Sequence, residues 1–157
     1  MTDQEFTACA QRYLDMVYRI ALNWFGPPQR ADAEDAAQNT MLRLYRTDTA
    51  FESEDHLRYW LARVTLNECK RLSSSLWRLR TVPLDACPEP VFSDPGRQTL
   101  FQEVMSLPGK YRVPLYLYYY EGYSVEEVGQ LMGLKPSTVQ TRLARGREKL
   151  KKILMEE

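Results

Sequence analysis

Apolar residues recur along this chain at three- and four-residue intervals, and no window alternates apolar and polar positions as a half-buried strand would. From Asp3 to about Phe25, the residues Phe6, Tyr13, Val17, Ile20 and Trp24 follow helical spacing, and Gly26-Pro27-Pro28 ends the pattern. A second helix is predicted from about Ala31 to Tyr45. It opens on Asp32, Glu34 and Asp35, whose charge suits the positive end of a helix dipole, and Ala33, Ala37, Met41 and Leu44 share its inward face. A third helix is predicted from about Glu54 to Ser73.

The periodicity then fails. Ser73-Ser74-Ser75 and four prolines, Pro83, Pro88, Pro90 and Pro95, fall within 73–95. Proline interrupts a helix and biases the residue before it toward extended backbone. Helices are predicted again at about 96–106, 110–120, 124–132 and 136–154, with Pro108-Gly109 separating the first pair. Pro114 is expected in the first turn of its helix, where proline is tolerated. The fold expected is all-α: two small helical domains, 1–75 and 96–157, joined by an extended linker over 76–95.

The last two helices carry the sharpest local signal. Ser124 and Glu127 form an S-x-x-E capping box ahead of Val128, Leu131 and Met132. Gly129 is small where a second helix would cross closely, Gly133 stands where the chain must turn at positive φ, and Leu134 plugs the turn. Pro136 suits the first position of the next helix, in which Val139, Leu143, Leu150 and Ile153 share one face. The second domain is therefore expected to hold a helix-turn-helix, whose second helix enters the DNA major groove with short polar side chains, Gln and Arg toward the base edges.

Charge sharpens this reading. The formal net charge is zero over 157 residues, which by itself argues against a nucleic-acid partner. Yet Lys135, Arg142, Arg145, Arg147, Lys149, Lys151 and Lys152 fall within 135–152, with Glu148 as the one acid there. That is a localised basic stripe able to hold backbone phosphates.

The remaining composition mostly excludes. With 44% hydrophobic and 27% charged residues the chain reads as globular. No apolar run is long enough to span a membrane, and MTDQEFTACAQRYLD lacks the layout of a signal peptide, so a cytoplasmic protein without membrane insertion is expected. Cys9, Cys69 and Cys87 are scattered and His56 is the sole histidine, so neither a metal site nor a disulfide framework is expected. There is no glycine-rich phosphate loop and no nucleophile with a plausible base. No cofactor, no catalytic residue and no enzymatic activity are expected.

A helix-turn-helix alone does not name a class of regulator, but its context does. Leu107 to Leu150, LPGKYRVPLYLYYYEGYSVEEVGQLMGLKPSTVQTRLARGREKL, resembles the C-terminal promoter-binding domain of the extracytoplasmic-function (ECF) sigma factors of bacterial RNA polymerase. Thr138-Val139 and Arg142-Leu143 match its motif, with Arg145 and Arg147 following. The resemblance implies that Lys135, Ser137, Thr138, Gln140, Thr141, Arg142 and Arg145 meet the upstream, minus-thirty-five promoter element.

Asp32 to Arg46 resembles the same family's polymerase-docking helix. Asp35-Ala36-Ala37-Gln38-Asn39 stands where the family has Asp, two apolar residues, Gln and Glu, so Asn39 departs from the pattern. Asp35, Gln38, Asn39, Leu42 and Arg43 are then the residues implied to face core RNA polymerase. Tyr59 to Arg71 resembles the segment that recognises the minus-ten element: Trp60-Leu61, Arg63, Val64 and Asn67 match, and Arg71 stands where the family has Asp. Tyr59, Arg63, Asn67 and Lys70 are the contact candidates there, while Trp60, spaced with Leu57, Leu61 and Val64, is expected in the core. The loop Thr47 to His56 corresponds to one that captures a base flipped from the opening duplex. Extrusion costs a few kcal/mol, which Phe51, Asp48, Thr49, Glu52 and Ser53 are suited to return by stacking and hydrogen bonding.

The resemblance implies a sigma factor that binds core polymerase and promoter DNA, directs transcription of a stress or signal regulon, and is held by an anti-sigma factor. The alternative is a simple helix-turn-helix transcriptional regulator. It leaves residues 1–80 unexplained, because they do not resemble a phosphate-receiving α/β domain.

Overall fold

The computed structural model describes residues 1–79 and 102–156, and every described element is helical. The chain divides into two compact units.

The first unit is a three-helix assembly: α1 (Asp3–Phe25), α2 (Arg30–Arg46) and α3 (Glu54–Leu79); a short 3-10 turn over Pro27–Gln29 separates α1 from α2 along the chain. Tyr13, Met16, Val17, Ile20 and Ala21 bury one stripe of α1. Against it α2 offers a face of mostly small residues, Ala33, Ala36, Ala37, Thr40, Met41 and Leu44. Ala36 and Thr40 extend the face expected from the sequence. Helix α3 contributes Leu57, Leu61, Ala62, Leu66 and Cys69. Val17, Ile20, Leu44, Leu61 and Leu66 are fully buried, each worth about 1.5–3 kcal/mol relative to exposure.

Polar groups inside this core are satisfied locally. Thr40 and Thr65 donate their hydroxyls to the carbonyls of Ala36 and Leu61 one turn back, at 2.8 and 2.6 Å. Helix α3 passes through the serine run and reaches Leu79 instead of stopping at Ser73. Ser73 is held there by Trp24, whose Nε1 donates to its hydroxyl at 2.8 Å. The linker expected over 76–95 therefore begins no earlier than residue 80, and 80–101 lie outside the described residues, as does the start of the helix expected over 96–106.

The second unit begins with helical residues 102–105, followed by α4 (Gly109–Leu115), a π-helical turn over Tyr116–Tyr120, α5 (Val125–Met132) and α6 (Pro136–Met155). Pro114 lies in the sixth position of α4, not in its first turn. It has no N–H to bond the preceding turn, and the helix widens immediately afterwards, with Glu121 N–H closing on the Tyr116 carbonyl at 3.1 Å. Arg112 is buried and donates to the Met105 and Leu107 carbonyls at 3.0 and 2.8 Å; burial lowers its pKa. Val113, Leu117, Val128, Leu131, Val139 and Leu143 make the core of the unit.

Candidate nucleic-acid and partner interfaces

The helix-turn-helix forms as its residues dictate. Ser124 Oγ accepts from Glu127 N–H at 3.1 Å and Glu127 Oε1 accepts from Ser124 N–H at 3.0 Å, closing the capping box. Gly133 ends α5 in the left-handed region, at φ 71° and ψ 36°, and Pro136 starts α6. With Val139 and Leu143 held inward, Lys135, Ser137, Gln140, Thr141 and Arg145 are exposed, while Thr138 and Arg142 are half-buried on a flank. Thr141 donates its hydroxyl to the Ser137 carbonyl at 3.0 Å. Arg147 extends the basic surface and is held by the exposed Tyr119, whose hydroxyl accepts from its Nη1 at 2.8 Å. Nothing in the spacing of the sequence links these two residues, because the link depends on the π turn.

In the first unit, Asp35, Gln38, Leu42 and Arg43 are exposed on α2 and Asn39 is half-buried. Asn39, Leu42 and Arg43 line a groove of about 530 Å³ between α2 and α3. Its other walls include residues that the sequence reading missed as site residues: Arg46, at helical spacing from Asn39 and Arg43, and Glu68 and Arg71 of α3. Trp60, expected in the core, is half-buried in this groove and packs edge-on against Phe51 with ring centroids 5.4 Å apart.

Glu68 is nearly inaccessible, yet it pairs with two arginines. Oε1 meets Arg43 Nε at 2.6 Å, and Oε2 accepts from Nε and Nη2 of Arg71 at 3.0 and 2.8 Å. Arg63 and Asn67 are exposed on the neighbouring face of α3, with Tyr59 and Lys70 half-buried beside them. Spacing of four and three residues places Arg63, Asn67 and Lys70 in one row.

The loop before α3 is ordered by its own bonds. Thr49 N–H donates to Thr47 Oγ1 at 3.2 Å, Glu52 N–H donates to His56 Nδ1 at 3.1 Å, and His56 N–H donates to Ser53 Oγ at 3.1 Å, which caps α3. Thr47, Asp48, Thr49 and Phe51 line a second hollow, of about 510 Å³, which Glu5 and Cys9 of α1 complete. Burial, then the charges of Glu54 and Glu5, raises the Cys9 pKa, so its thiol is not activated. Among the described residues no cluster of metal-ligand side chains exists, and no helix is long and apolar enough to cross a membrane.

A helix-turn-helix with a basic flank in one helical unit, and a lined groove with an exposed polar helix in another, define a two-module DNA-binding protein. Comparison with known proteins narrows the class. The family "Sigma-70 region 2" matches residues 9–79, and "Sigma-70, region 4" matches residues 97–150. RNA polymerase sigma factor CarQ of Myxococcus xanthus is 32% identical over 133 residues, covering 79% of this chain and 75% of CarQ. ECF RNA polymerase sigma factor SigW of Bacillus subtilis is 28% identical over 175 residues, covering 97% of this chain and 90% of SigW. The chain spans 59% of the ECF sigma factor SigE of Mycolicibacterium smegmatis, at 31% identity. Among solved structures, the sigma factor RpoE of Bartonella quintana, in complex with the anti-sigma factor NepR, superposes with a TM-score of 0.76 at 20% identity, over 97% of this chain and 98% of that one. This chain belongs to the sigma-70 family of RNA polymerase sigma factors, in its ECF group.

Proposed function

We propose that this ECF sigma factor docks on core RNA polymerase through α2 and reads its promoter with α3 and α6, so that polymerase starts transcription at a defined set of sites. One observation carries the reading: each sigma-70 region presents its own exposed polar helix face, α2 with Asp35 and Gln38 in the first, α6 with Ser137 and Gln140 in the second. The chain itself contributes recognition and positioning, and the chemistry of RNA synthesis belongs to the polymerase.

In this reading Asp35, Gln38, Asn39, Leu42 and Arg43 meet polymerase. Lys135, Ser137, Thr138, Gln140, Thr141, Arg142 and Arg145 meet the minus-thirty-five element in duplex form, where base edges in the major groove distinguish sequences. Tyr59, Arg63, Asn67 and Lys70 lie along the minus-ten element, and the hollow beside Phe51 receives an extruded base. The domain roles follow: the first unit acts as region 2, the second as region 4, with the linker between them. The protein works in the cytoplasm, where polymerase and DNA are, and an anti-sigma factor holds it until it is needed.

The test is run-off transcription. Purified core polymerase and this protein are supplied with a library of upstream sequences, and the transcripts are sequenced. Discrete starts sharing two upstream elements are expected. Sequence-selective binding by the protein alone, with no transcripts on adding core, would make it a simple regulator instead.

A further inference from the structure

Glu68 does more than its own neutralisation requires. A carboxylate with only 3% of its side chain exposed needs a partner, and Arg71, one turn away on the same helix, already supplies a two-pronged guanidinium bond. The bond to Arg43 is therefore additional. It reaches from α3 to α2, and it fastens an arginine whose side chain remains 61% exposed on the docking helix. A long exposed side chain otherwise samples many rotamers, and ordering it on binding costs affinity.

We infer that Glu68 is a positioning residue for polymerase docking: it holds the Arg43 guanidinium in place on α2 before core polymerase arrives, while Arg71 grips its other carboxylate oxygen. The acid that organises the groove is Glu68, three residues before Arg71 on the same helix. The inference rests on the proposed docking role of α2.

The experiment is a four-corner affinity cycle with the full chain and core polymerase: wild type, Glu68→Gln, Arg43→Ala and the double variant, with thermal unfolding of each. Glu68→Gln should weaken core affinity about three- to tenfold, the cost of immobilising one rotamer-rich side chain, and should add nothing in the Arg43→Ala background. A loss from Glu68→Gln that is equally large without Arg43 means a packing role and overturns the inference. So does normal affinity in Glu68→Gln when Arg43→Ala is weak, a result that leaves the docking reading intact. If Arg43→Ala and the pair Asp35→Ala, Gln38→Ala both bind normally, the docking reading itself fails. Should Glu68→Gln not fold, Arg43→Lys decides: it keeps the charge at an exposed site but loses the guanidinium plane, and wild-type affinity for it overturns the inference.

Discussion

Gly129 accepts the backbone N–H of Leu134 at 2.8 Å, and a Cβ on Gly129 would stand 2.6 Å from the Leu134 carbonyl oxygen. The turn of the helix-turn-helix folds back so closely that only hydrogen fits. The obstacle is backbone, which cannot rotate away as a side-chain tip could. Gly129→Ala is therefore expected to destabilise the second unit. Overpacking costs about 1–3 kcal/mol, and the better helix propensity of alanine, about 1 kcal/mol, offsets only part of it. Denaturant unfolding checks this, and a variant as stable as wild type would show that the turn relaxes.

Tyr13 predicts a pH dependence. It is buried on α1 and donates its hydroxyl to Glu54 at the start of α3. Burial first, and the Glu54 carboxylate second, push its pKa up to about 12 from an ordinary value near 10. The folded state thus favours the protonated phenol. The stabilisation is fully present below about pH 10, where the unfolded tyrosine is also protonated, and is lost as pH rises through about 12. Tyr13→Phe should be less stable than wild type at neutral pH, and the gap should close between pH 10 and 12. A gap that stays constant over that window would show that folding does not shift the ionisation of this phenol.

Most of the architecture was legible because it follows from local rules. Helical spacing in α1 and α2, the Ser124–Glu127 box, Gly133 at positive φ and Pro136 at a helix start each act within a few residues. What escaped depends on where distant residues meet. Pro114 could be read as a helix-start residue, but α4 begins at Gly109 and absorbs the missing N–H by widening into the π turn. Gly146 lies within the basic stretch 135–152, and its neighbours in sequence say nothing of its role. It is buried, and a Cβ there would come within 2.9 Å of Leu115 and 3.3 Å of Tyr111, which is why α4 and α6 can approach. The row Asp35, Gln38, Leu42 was visible as spacing on one helix, whereas the groove needs Glu68 and Arg71 from another.

Docking on polymerase predicts a clean separation of affinity from stability. Asp35 and Gln38 are exposed. The double variant Asp35→Ala, Gln38→Ala should leave the melting midpoint within the range of ordinary surface changes, about 0.5 kcal/mol, and still weaken core binding in a titration. Unchanged affinity would take this face of α2 out of the interface.

The faces of α6 divide base reading from phosphate binding. Thr138, Arg142, Arg145 and Lys149 repeat at intervals of four, three and four, so they form one flank, on which Thr138 and Arg142 are already half-buried. Ser137, Gln140 and Thr141 look outward from the first turns, the part of a recognition helix that reaches base edges. Thr141 spends its proton on the Ser137 carbonyl, which leaves Gln140 with a full donor and acceptor set. Gln140→Ala should therefore cost about 1–3 kcal/mol on the preferred upstream element and relax preference at one or two positions. Arg142→Ala, on the flank, should weaken all sequences alike. Lys151→Ala, further along, should do so weakly if at all, and reduce the salt dependence by about one phosphate contact at most. The measurement is binding of the assembled polymerase complex to an upstream-element library at two salt concentrations. If Arg142→Ala alters the preferred sequence and Gln140→Ala does not, the helix is rotated in the groove by about a third of a turn from the orientation argued here, with the flank toward the bases.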